Sequence, residues 1–449
     1  MKKVISIALA LLMVAVMLPV MAAAADAEYD ITTEADLRGK VSTMAAGDNV
    51  TVRLQNDVTV VGKLEVKAGT LTILGQGHTI TFSNPNSTMH ITGTGIVNLG
   101  TKEGEGNDLT LTSDNITDSV VYMAGSAELN MYDGVEIRDS TAAGTVGGVH
   151  LEGDKTVFNM YGGVIDKCVG EHVAVGGVLI KGGALFNMYD GVIQNCSGTL
   201  GGAVYVSGGP AIGGYISGSS GFHMYGGTIK DCQANWIGGA VCVNTTEPVS
   251  FIMDGGTITG CNADGEAGYG YGGAVFISTP HKDAVIKINK GEISGNSGVY
   301  GGGIYVEEGN VEIADGVALH NNTATKEGDD LYNESGRITL GKLPTGLKLK
   351  ACGCSIDGWY HDNDGARWSS TKCGGGEDRM EKHTETAFTD GRALKAAHGE
   401  APAPPIIIVP EAPEQEAPNP TTGRRDLVGV AVAMAAVSLL GAAAVIRKK

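Results

Sequence analysis

The stretch from residue 158 to residue 163 reads F-N-M-Y-G-G, and it recurs along the chain in related forms. The other copies begin at Leu129, Phe186, Phe222 and Phe251, with degenerate copies at Ile286 and Val311. Successive copies start 29, 28, 36, 29, 35 and 25 residues apart. A repeat of this length with occasional insertions is typical of a solenoid, in which each copy forms one coil and packs only on its neighbours.

Each copy alternates apolar and polar residues with a period of two, which predicts a β-strand. Phe158 and Met160 are expected to face one side of the strand, and Asn159 and Tyr161 the other. A glycine pair at 162–163 then turns the chain into a second short strand. Because α-helices do not tolerate glycine pairs this often, the chain is predicted to be all-β, with three short strands and glycine-rich corners in each coil.

This organisation resembles the right-handed parallel β-helix surface proteins, whose fold is shared with pectin and pectate lyases. The resemblance covers roughly residues 48–334, about two thirds of the chain, and residues 48–336 are predicted to form the parallel β-helix. It implies a right-handed solenoid whose coils stack about 4.8 Å apart. One fold of this kind hosts unrelated functions, so the resemblance predicts architecture and leaves function to the side chains.

Residues one coil apart are expected to form columns along the solenoid. One such column contains Ser140, Cys168, Cys196, Cys232, Cys261, Asn296 and Asn322. Column neighbours have parallel Cα–Cβ directions, whereas a disulfide needs converging side chains, so the four cysteines are predicted to be buried, reduced thiols. The resemblance implies that Asn296 and Asn322 belong to a buried asparagine ladder at a turn.

Residues 1–25 have the features of a secretory signal peptide, namely two lysines, an apolar stretch and four alanines at 22–25. The alternative is an N-terminal membrane anchor. Residues 26–47 are predicted to cap the front of the solenoid, since an uncapped first coil would expose its core and a free strand edge. Thr33 is expected to begin a short helix in this cap.

Residues 337–400 fall outside the repeats and are predicted to form a small C-terminal domain or a cap. They contain Cys352, Cys354 and Cys373 and two of the three tryptophans. Two of these cysteines could form a disulfide, or the three could bind zinc with a histidine; no metal site is assigned. Residues 401–418 are rich in proline and glutamate, which predicts a stiff, extended linker through the cell wall.

Residues 419–449 combine three elements in order: an N-P-T-T-G motif, an uncharged apolar run of 20 residues at 427–446, and a basic tail. The motif consists of Asn419, Pro420, Thr421, Thr422 and Gly423. The run is long enough to cross a bilayer, and the basic tail would stay on the cytoplasmic side. The arrangement resembles a sortase sorting signal, which implies cleavage after Thr422 and covalent attachment to peptidoglycan.

The expected location is therefore the cell surface of a Gram-positive-type envelope, with sortase and peptidoglycan as partners. The net charge is −18, and an acidic surface repels nucleic acid and anionic lipid, so neither is expected as a ligand. The chain is expected to be monomeric and to need no cofactor.

Catalysis is the weaker of two functional hypotheses. The resemblance includes polysaccharide lyases and hydrolases, so a wall-anchored enzyme of either class is the alternative function. The hydrolases of this fold have N-T-D, D-D, G-H-G and R-I-K strings, and only Asp329-Asp330 matches one of them. The lyases of this fold need a calcium-binding carboxylate cluster and an arginine or lysine base, and arginine is scarce in the repeats. No catalytic residue is assigned.

The favoured hypothesis is adhesion or glycan binding through one face of the solenoid. The candidate face is an outward column of Tyr132, Tyr161, Tyr189 and Tyr225. Asn130, Asn159, Asn187 and His223 lie beside it in sequence. Aromatic rings with amide neighbours suit a glycan or host-surface ligand, because sugars stack on rings and hydrogen-bond to amides. The alternative is that the stacked tyrosines only stabilise neighbouring coils.

Overall fold

The computed structural model describes residues 26–114, 116–171, 175–208, 220–265, 268–362, 365, 367–368, 379–380 and 393–399. The predicted signal peptide (1–25), linker (401–418) and sorting signal (419–449) lie outside the described residues. Within the described part, no helix is long and apolar enough to cross a membrane.

The described part contains one α-helix, α1 (Glu34–Ser42), and forty strands. The first fourteen strands are β1 (Asp26–Ile31), β2 (Asn49–Leu54), β3 (Val58–Val60), β4 (Lys63–Val66), β5 (Thr70–Leu74), β6 (His78–Ser83), β7 (Thr88–Ile91), β8 (Ile96–Leu99), β9 (Leu109–Asp114), β10 (Val121–Ala124), β11 (Glu128–Met131), β12 (Val135–Ala142), β13 (Val149–Glu152) and β14 (Val157–Met160).

The next thirteen strands are β15 (Val164–Gly170), β16 (Val178–Lys181), β17 (Leu185–Met188), β18 (Val192–Gln194), β19 (Ser197–Leu200), β20 (Val204–Val206), β21 (Ser220–Met224), β22 (Thr228–Lys230), β23 (Gln233–Ile237), β24 (Val241–Asn244), β25 (Val249–Met253), β26 (Thr257–Thr259) and β27 (Asn262–Ala263). The last thirteen are β28 (Val275–Ser278), β29 (Val285–Ile288), β30 (Glu292–Ser294), β31 (Ser297–Tyr300), β32 (Ile304–Glu308), β33 (Asn310–Ile313), β34 (Ala318–His320), β35 (Thr323–Glu327), β36 (Leu331–Asn333), β37 (Arg337–Leu340), β38 (Gly358–His361), β39 (Arg379–Met380) and β40 (Ala393–Ala397).

These strands form three long sheets that are parallel apart from their C-terminal ends, consistent with a β-helix solenoid. Sheet A has the order β1-β2-β5-β8-β11-β14-β17-β21-β25-β29-β33-β37-β39. Sheet C has the order β38-β40-β36-β32-β28-β24-β20-β16-β13-β10-β7-β4. Sheet B contains β3, β6, β9, β12 and β15, and then forks into β18-β22-β26-β30-β34 and β19-β23-β27-β31-β35. Each coil contributes strands to all three sheets, as the repeats predicted.

The repeat spacing correctly predicts the register of sheet A. Leu129 pairs with Phe158, Phe158 with Phe186, and Phe186 with Phe222. The phenylalanine rings stack inside the solenoid with centroids 4.7 to 5.6 Å apart, continuing to Phe251, and all four side chains are fully buried. This stack is the centre of a single core that runs through the coils.

The fork in sheet B follows from a column of left-handed residues that ends the first strand of each coil. Asn195, Asp231 and Asn321 have φ of 53°, 54° and 56°, and glycines 260 and 295 occupy the same place in other coils. Asparagine, aspartate and glycine are the residues that adopt this conformation most readily. The turn aims the next residue inward, and that residue belongs to the cysteine and asparagine column.

The cysteine and asparagine column is buried as predicted, and Cys168, Cys196, Cys232 and Cys261 are free thiols. Cys232 Sγ lies 3.8 Å from the carbonyl oxygen of Ile193 in the coil before. Asn296 Nδ2 donates to the equivalent carbonyl of Ile258 at 3.0 Å. A cysteine thiol and an asparagine amide therefore contact the equivalent carbonyl oxygen in their respective coils. Burial raises the pKa of the Cys232 thiol well above its usual range.

Residues 26–47 close the first coil with both a strand and a helix. Helix α1 begins at the predicted N-cap, where Thr33 and Asp36 form a capping box. Leu37 and Val41 are buried against the core. Strand β1 pairs in parallel with β2 and was not predicted, because only its last residue, Ile31, is buried and its apolar alternation is weak.

The described strands after residue 336 continue sheets A and C. Strand β37 pairs in parallel with β33, so regular pairing extends to Leu340. Strands β39 and β40 then pair antiparallel with β37 and β36, and β38 pairs antiparallel with β40. The described antiparallel strands β38, β39 and β40 therefore extend sheets A and C, and we refer to these three strands as the C-terminal cap. Cys352 and Cys354 form a disulfide, whereas Cys373 lies outside the described residues.

Candidate functional site

The predicted tyrosine column exists on the outer surface, directly after the sheet A strands β11, β14, β17 and β21. Its rings stack in parallel, with centroids 5.2 Å apart between Tyr132 and Tyr161, 5.0 Å between Tyr161 and Tyr189, and 4.8 Å between Tyr189 and Tyr225. Tyr161, Tyr189 and Tyr225 are 39 to 41% exposed, and Tyr132 is half-buried. Burial raises the pKa of Tyr132, Tyr161 and Tyr225 above the usual value for a phenol.

The stacking limits which parts of the rings a ligand can reach. The planes of neighbouring rings differ by only 6 to 18°, so each inner ring covers much of its neighbours' faces. The outer face of Tyr225 is in turn covered by His223, at a centroid distance of 3.8 Å. The column therefore presents ring edges and phenolic hydroxyl groups to a ligand, rather than open faces.

The neighbouring amides do not serve as the free hydrogen-bonding groups that the sequence suggested. Asn130, Asn159 and Asn187 are less than 10% exposed. Each donates its Nδ2 to the side-chain oxygen of the asparagine one coil before it, at 2.9 to 3.0 Å, in a ladder that begins at Asn98. The protein thus has a second asparagine ladder on the outer side of sheet A. The expectation of open amides was wrong, because these amides form hydrogen bonds with one another between neighbouring coils.

A cleft of about 400 Å³ on the outer face of sheet C was not predicted. It contains His90, Tyr122 and His150 on β7, β10 and β13, with Asp118 and Glu152 beside them. His150 Nδ1 lies 3.2 Å from Asp118 Oδ1, and Tyr122 donates its hydroxyl to Glu152 at 3.2 Å. The only sequence signal was the coil spacing between positions 90, 122 and 150, because the polar residues come from separate coils.

The pKa shifts and the burial of the side chains in this cleft are typical of a hydrogen-bond network rather than of a catalytic site. Burial and the nearby Glu152 charge raise the pKa of Tyr122 far above its usual range. Burial acts against ionisation of Asp118, but hydrogen bonds from His150 and Thr145 outweigh it and hold the pKa of this carboxyl low. The remaining nitrogen of His150, Nε2, is buried, so it does not reach the cleft surface as a general base must.

Asp329 and Asp330 are the only match in the sequence to one of the hydrolase strings. Both carboxylates accept hydrogen bonds from other parts of the fold. Asp330 is 1% exposed, and it accepts hydrogen bonds from Asn322 N and Nδ2 at 3.0 and 2.8 Å and from Ala396 N at 2.7 Å. Asp329 accepts from Ala324 N at 2.9 Å. Asp330 therefore ends the cysteine and asparagine column and joins the last coil to strand β40.

A depression of about 570 Å³ lies on the second branch of sheet B, lined by Thr199, Asn235, Trp236 and Tyr269. Trp236 and Tyr269 are 49% and 57% exposed, more than any other aromatic side chain in the described residues. Sequence reasoning missed Trp236, because an isolated tryptophan in a strand has no repeat that marks it as exposed.

No family model matches the chain, and neither the curated proteins nor the solved structures contain a significant match to it.

Proposed function

We propose that this chain is a cell-wall-anchored surface protein that binds glycans through its β-helix, with adhesion as the outcome. The right-handed, pectin-lyase-like form of the solenoid, the secretory signal peptide and the sortase signal are parts of the same proposal. The observation that carries the binding function is the tyrosine column, in which four rings repeat at about 5 Å on a rigid sheet.

The column suits an extended polymer because its repeat is close to the length of one sugar unit. Three of its rings are about 40% exposed, although outward positions on a sheet have no packing requirement for large aromatic side chains. Phenolic hydroxyls both donate and accept hydrogen bonds, as sugar hydroxyls do. Each contact contributes little, so affinity depends on several rings acting together.

The alternative, a polysaccharide lyase or hydrolase, has less support. The polar cleft on sheet C has a buried imidazole nitrogen, and Asp329 and Asp330 accept hydrogen bonds from the backbone N–H groups of Ala324 and Ala396. A depolymerisation assay on pectin, host glycans and wall polymers separates the two functions, and release of reducing ends or unsaturated products would favour the enzyme.

Replacing Tyr161 and Tyr189 together by serine is expected to weaken glycan or cell-surface binding by about 30-fold, equivalent to ~2 kcal/mol, because two contacts are lost at once. The matched double phenylalanine variant keeps the stack and removes only the hydroxyls, and it should lose part of this affinity with unchanged stability. Binding is measured by surface plasmon resonance on immobilised glycans. A large loss of stability with unchanged binding would show that the column is structural.

Wall anchoring predicts a specific C-terminus in the mature protein. Mass spectrometry of wall digests should find a peptide that ends at Thr422 and carries a wall fragment, since the N-P-T-T-G motif places cleavage there. Replacing Thr422 by alanine should move the protein to the membrane and medium fractions. Recovery of the unmodified protein ending at Lys449 in the membrane would contradict sortase processing and indicate a membrane anchor.

A further inference from the structure

We propose that the depression formed by Trp236 and Tyr269 is a stacking subsite for a neutral sugar. This inference rests on the proposed glycan-binding function and adds a second site with a defined ligand class. The subsite lies on sheet B, whereas the tyrosine column follows the strands of sheet A, so the two surfaces can be tested separately.

Trp236 is exposed by a break in the strand register. Strands β19 and β23 pair at Gly198 with Ala234 and again at Leu200 with Ile237. Thr199 alone therefore lies opposite both Asn235 and Trp236, which defines a β-bulge. A bulge re-aims side chains out of the regular alternation, and bulges are common beside functional sites. Here the extra residue places the indole ring in solvent.

Tyr269 lines the same depression and belongs to an insertion in the next coil. Ala263 pairs with Ala234, and Tyr271 pairs with Ile237, so seven sequence positions separate these two pairings in this coil, against two in the coil of Trp236. The backbone at Gly265 lies very close to the backbone at Tyr269, since a methyl group on Gly265 would lie 1.3 Å from the carbonyl oxygen of Tyr269. The close approach leaves no room for a side chain at position 265, and Tyr269 lines the same depression as Trp236.

The lining chemistry matches a neutral sugar. None of the described lining residues is charged, and they supply two aromatic rings, an amide and a hydroxyl. In the described part of the chain, no aromatic ring stacks on Trp236 or Tyr269, in contrast to the covered faces of the tyrosine column. Open rings bind the apolar face of a sugar, and the amide of Asn235 can bond to its hydroxyls. The volume is within the range of small-ligand sites.

The test uses the mature full chain and three neutral probes, namely β-1,4-glucan, β-1,4-galactan and α-mannan oligosaccharides, with polygalacturonate as the anionic comparison. Titration calorimetry should detect at least one neutral probe. Trp236→Ala with Tyr269→Ala should weaken its binding by about 30-fold, on the scale of two aromatic contacts. Trp236→Phe should retain most of the affinity because it keeps a ring face. Gly265→Val should weaken binding while leaving both aromatic residues in the chain.

The outcomes separate this inference from the proposed function. Unchanged neutral-sugar binding in the Trp236→Ala, Tyr269→Ala variant, with a loss in the Tyr161→Ser, Tyr189→Ser variant, would overturn the subsite and leave glycan binding intact. Preferential binding of polygalacturonate at the Trp236 site would overturn the neutral ligand class. If the wild-type protein binds neither the neutral probes nor polygalacturonate, both the subsite and the glycan-binding function fail.

Discussion

Replacing Phe186 by alanine is expected to lower the free energy of unfolding by about 4 kcal/mol, within the range for a buried phenylalanine truncated in a packed core. Its ring lies between Phe158 and Phe222 at centroid distances of 4.7 and 5.1 Å, and the side chain is fully buried. Neighbouring coils cannot collapse into the gap, because the hydrogen-bonded sheets fix their spacing at about 4.8 Å. Urea unfolding followed by circular dichroism measures the loss.

Tyr189→Ala is the matched control for this prediction. Tyr189 has the same stacking geometry between Tyr161 and Tyr225, at 5.0 and 4.8 Å, but it is 39% exposed. Its removal should cost about 1 kcal/mol, on the scale of an aromatic pair without a core cavity. Equal losses for Phe186→Ala and Tyr189→Ala would contradict the assignment of the outer column to binding, since they would show that it contributes to the fold as much as the core stack does.

The fold was predictable where one residue type repeats at one position of each coil. The alternation around Phe158 and the glycine pairs predicted the strands, and the spacing predicted their pairing. The inward cysteines were predictable for the same reason, because Cys232 and Asn296 occupy equivalent places. A column is a one-dimensional pattern, and the sequence displays it directly.

The repeat pattern did not predict which outward-facing residues are covered by other parts of the protein. On the outer face of sheet C, Cys242, Phe276 and Tyr305 form a column in consecutive coils, yet all three are less than 5% exposed. A second apolar cluster covers them, with contributions from Ile237 and Tyr271 at the neighbouring corner. Period-two alternation identifies which residues leave the core but contains no information on how far the corners fold over the sheet.

The candidate sites also differ in whether the repeats could predict them. The tyrosine column was predictable because it repeats. Trp236 was not, because its exposure depends on a single extra residue in β23 relative to β19. The cleft around His150 was not predicted either, because its polar residues lie in separate coils and form no sequence motif. Register breaks and loop insertions therefore contain the information that repeats lack.

The C-terminal cap provides the second large expected effect. Asp330→Ala should lower the free energy of cap opening by about 3 kcal/mol, because three buried N–H donors, two from Asn322 and one from Ala396, lose their acceptor. Hydrogen exchange of strands β36 and β40 measures this opening. Asp315→Ala is the control, since Asp315 is exposed and accepts a hydrogen bond from Lys342 N, and its removal should leave exchange in β40 unchanged.

The same carboxyl makes docking of the cap dependent on pH. Burial, opposed by the hydrogen bonds of Ala396 and Asn322, raises the pKa of Asp330 from 3.8 to about 7. Between these values the docked cap binds a proton that the open cap has lost, so its stability should fall as pH rises from about 4 to about 7 and then level off. Asp330→Asn has no titrating group and should flatten this slope in β40 exchange, corrected for intrinsic rates. A stability that instead rises through this range would show that the three N–H donors hold Asp330 ionised within the cap.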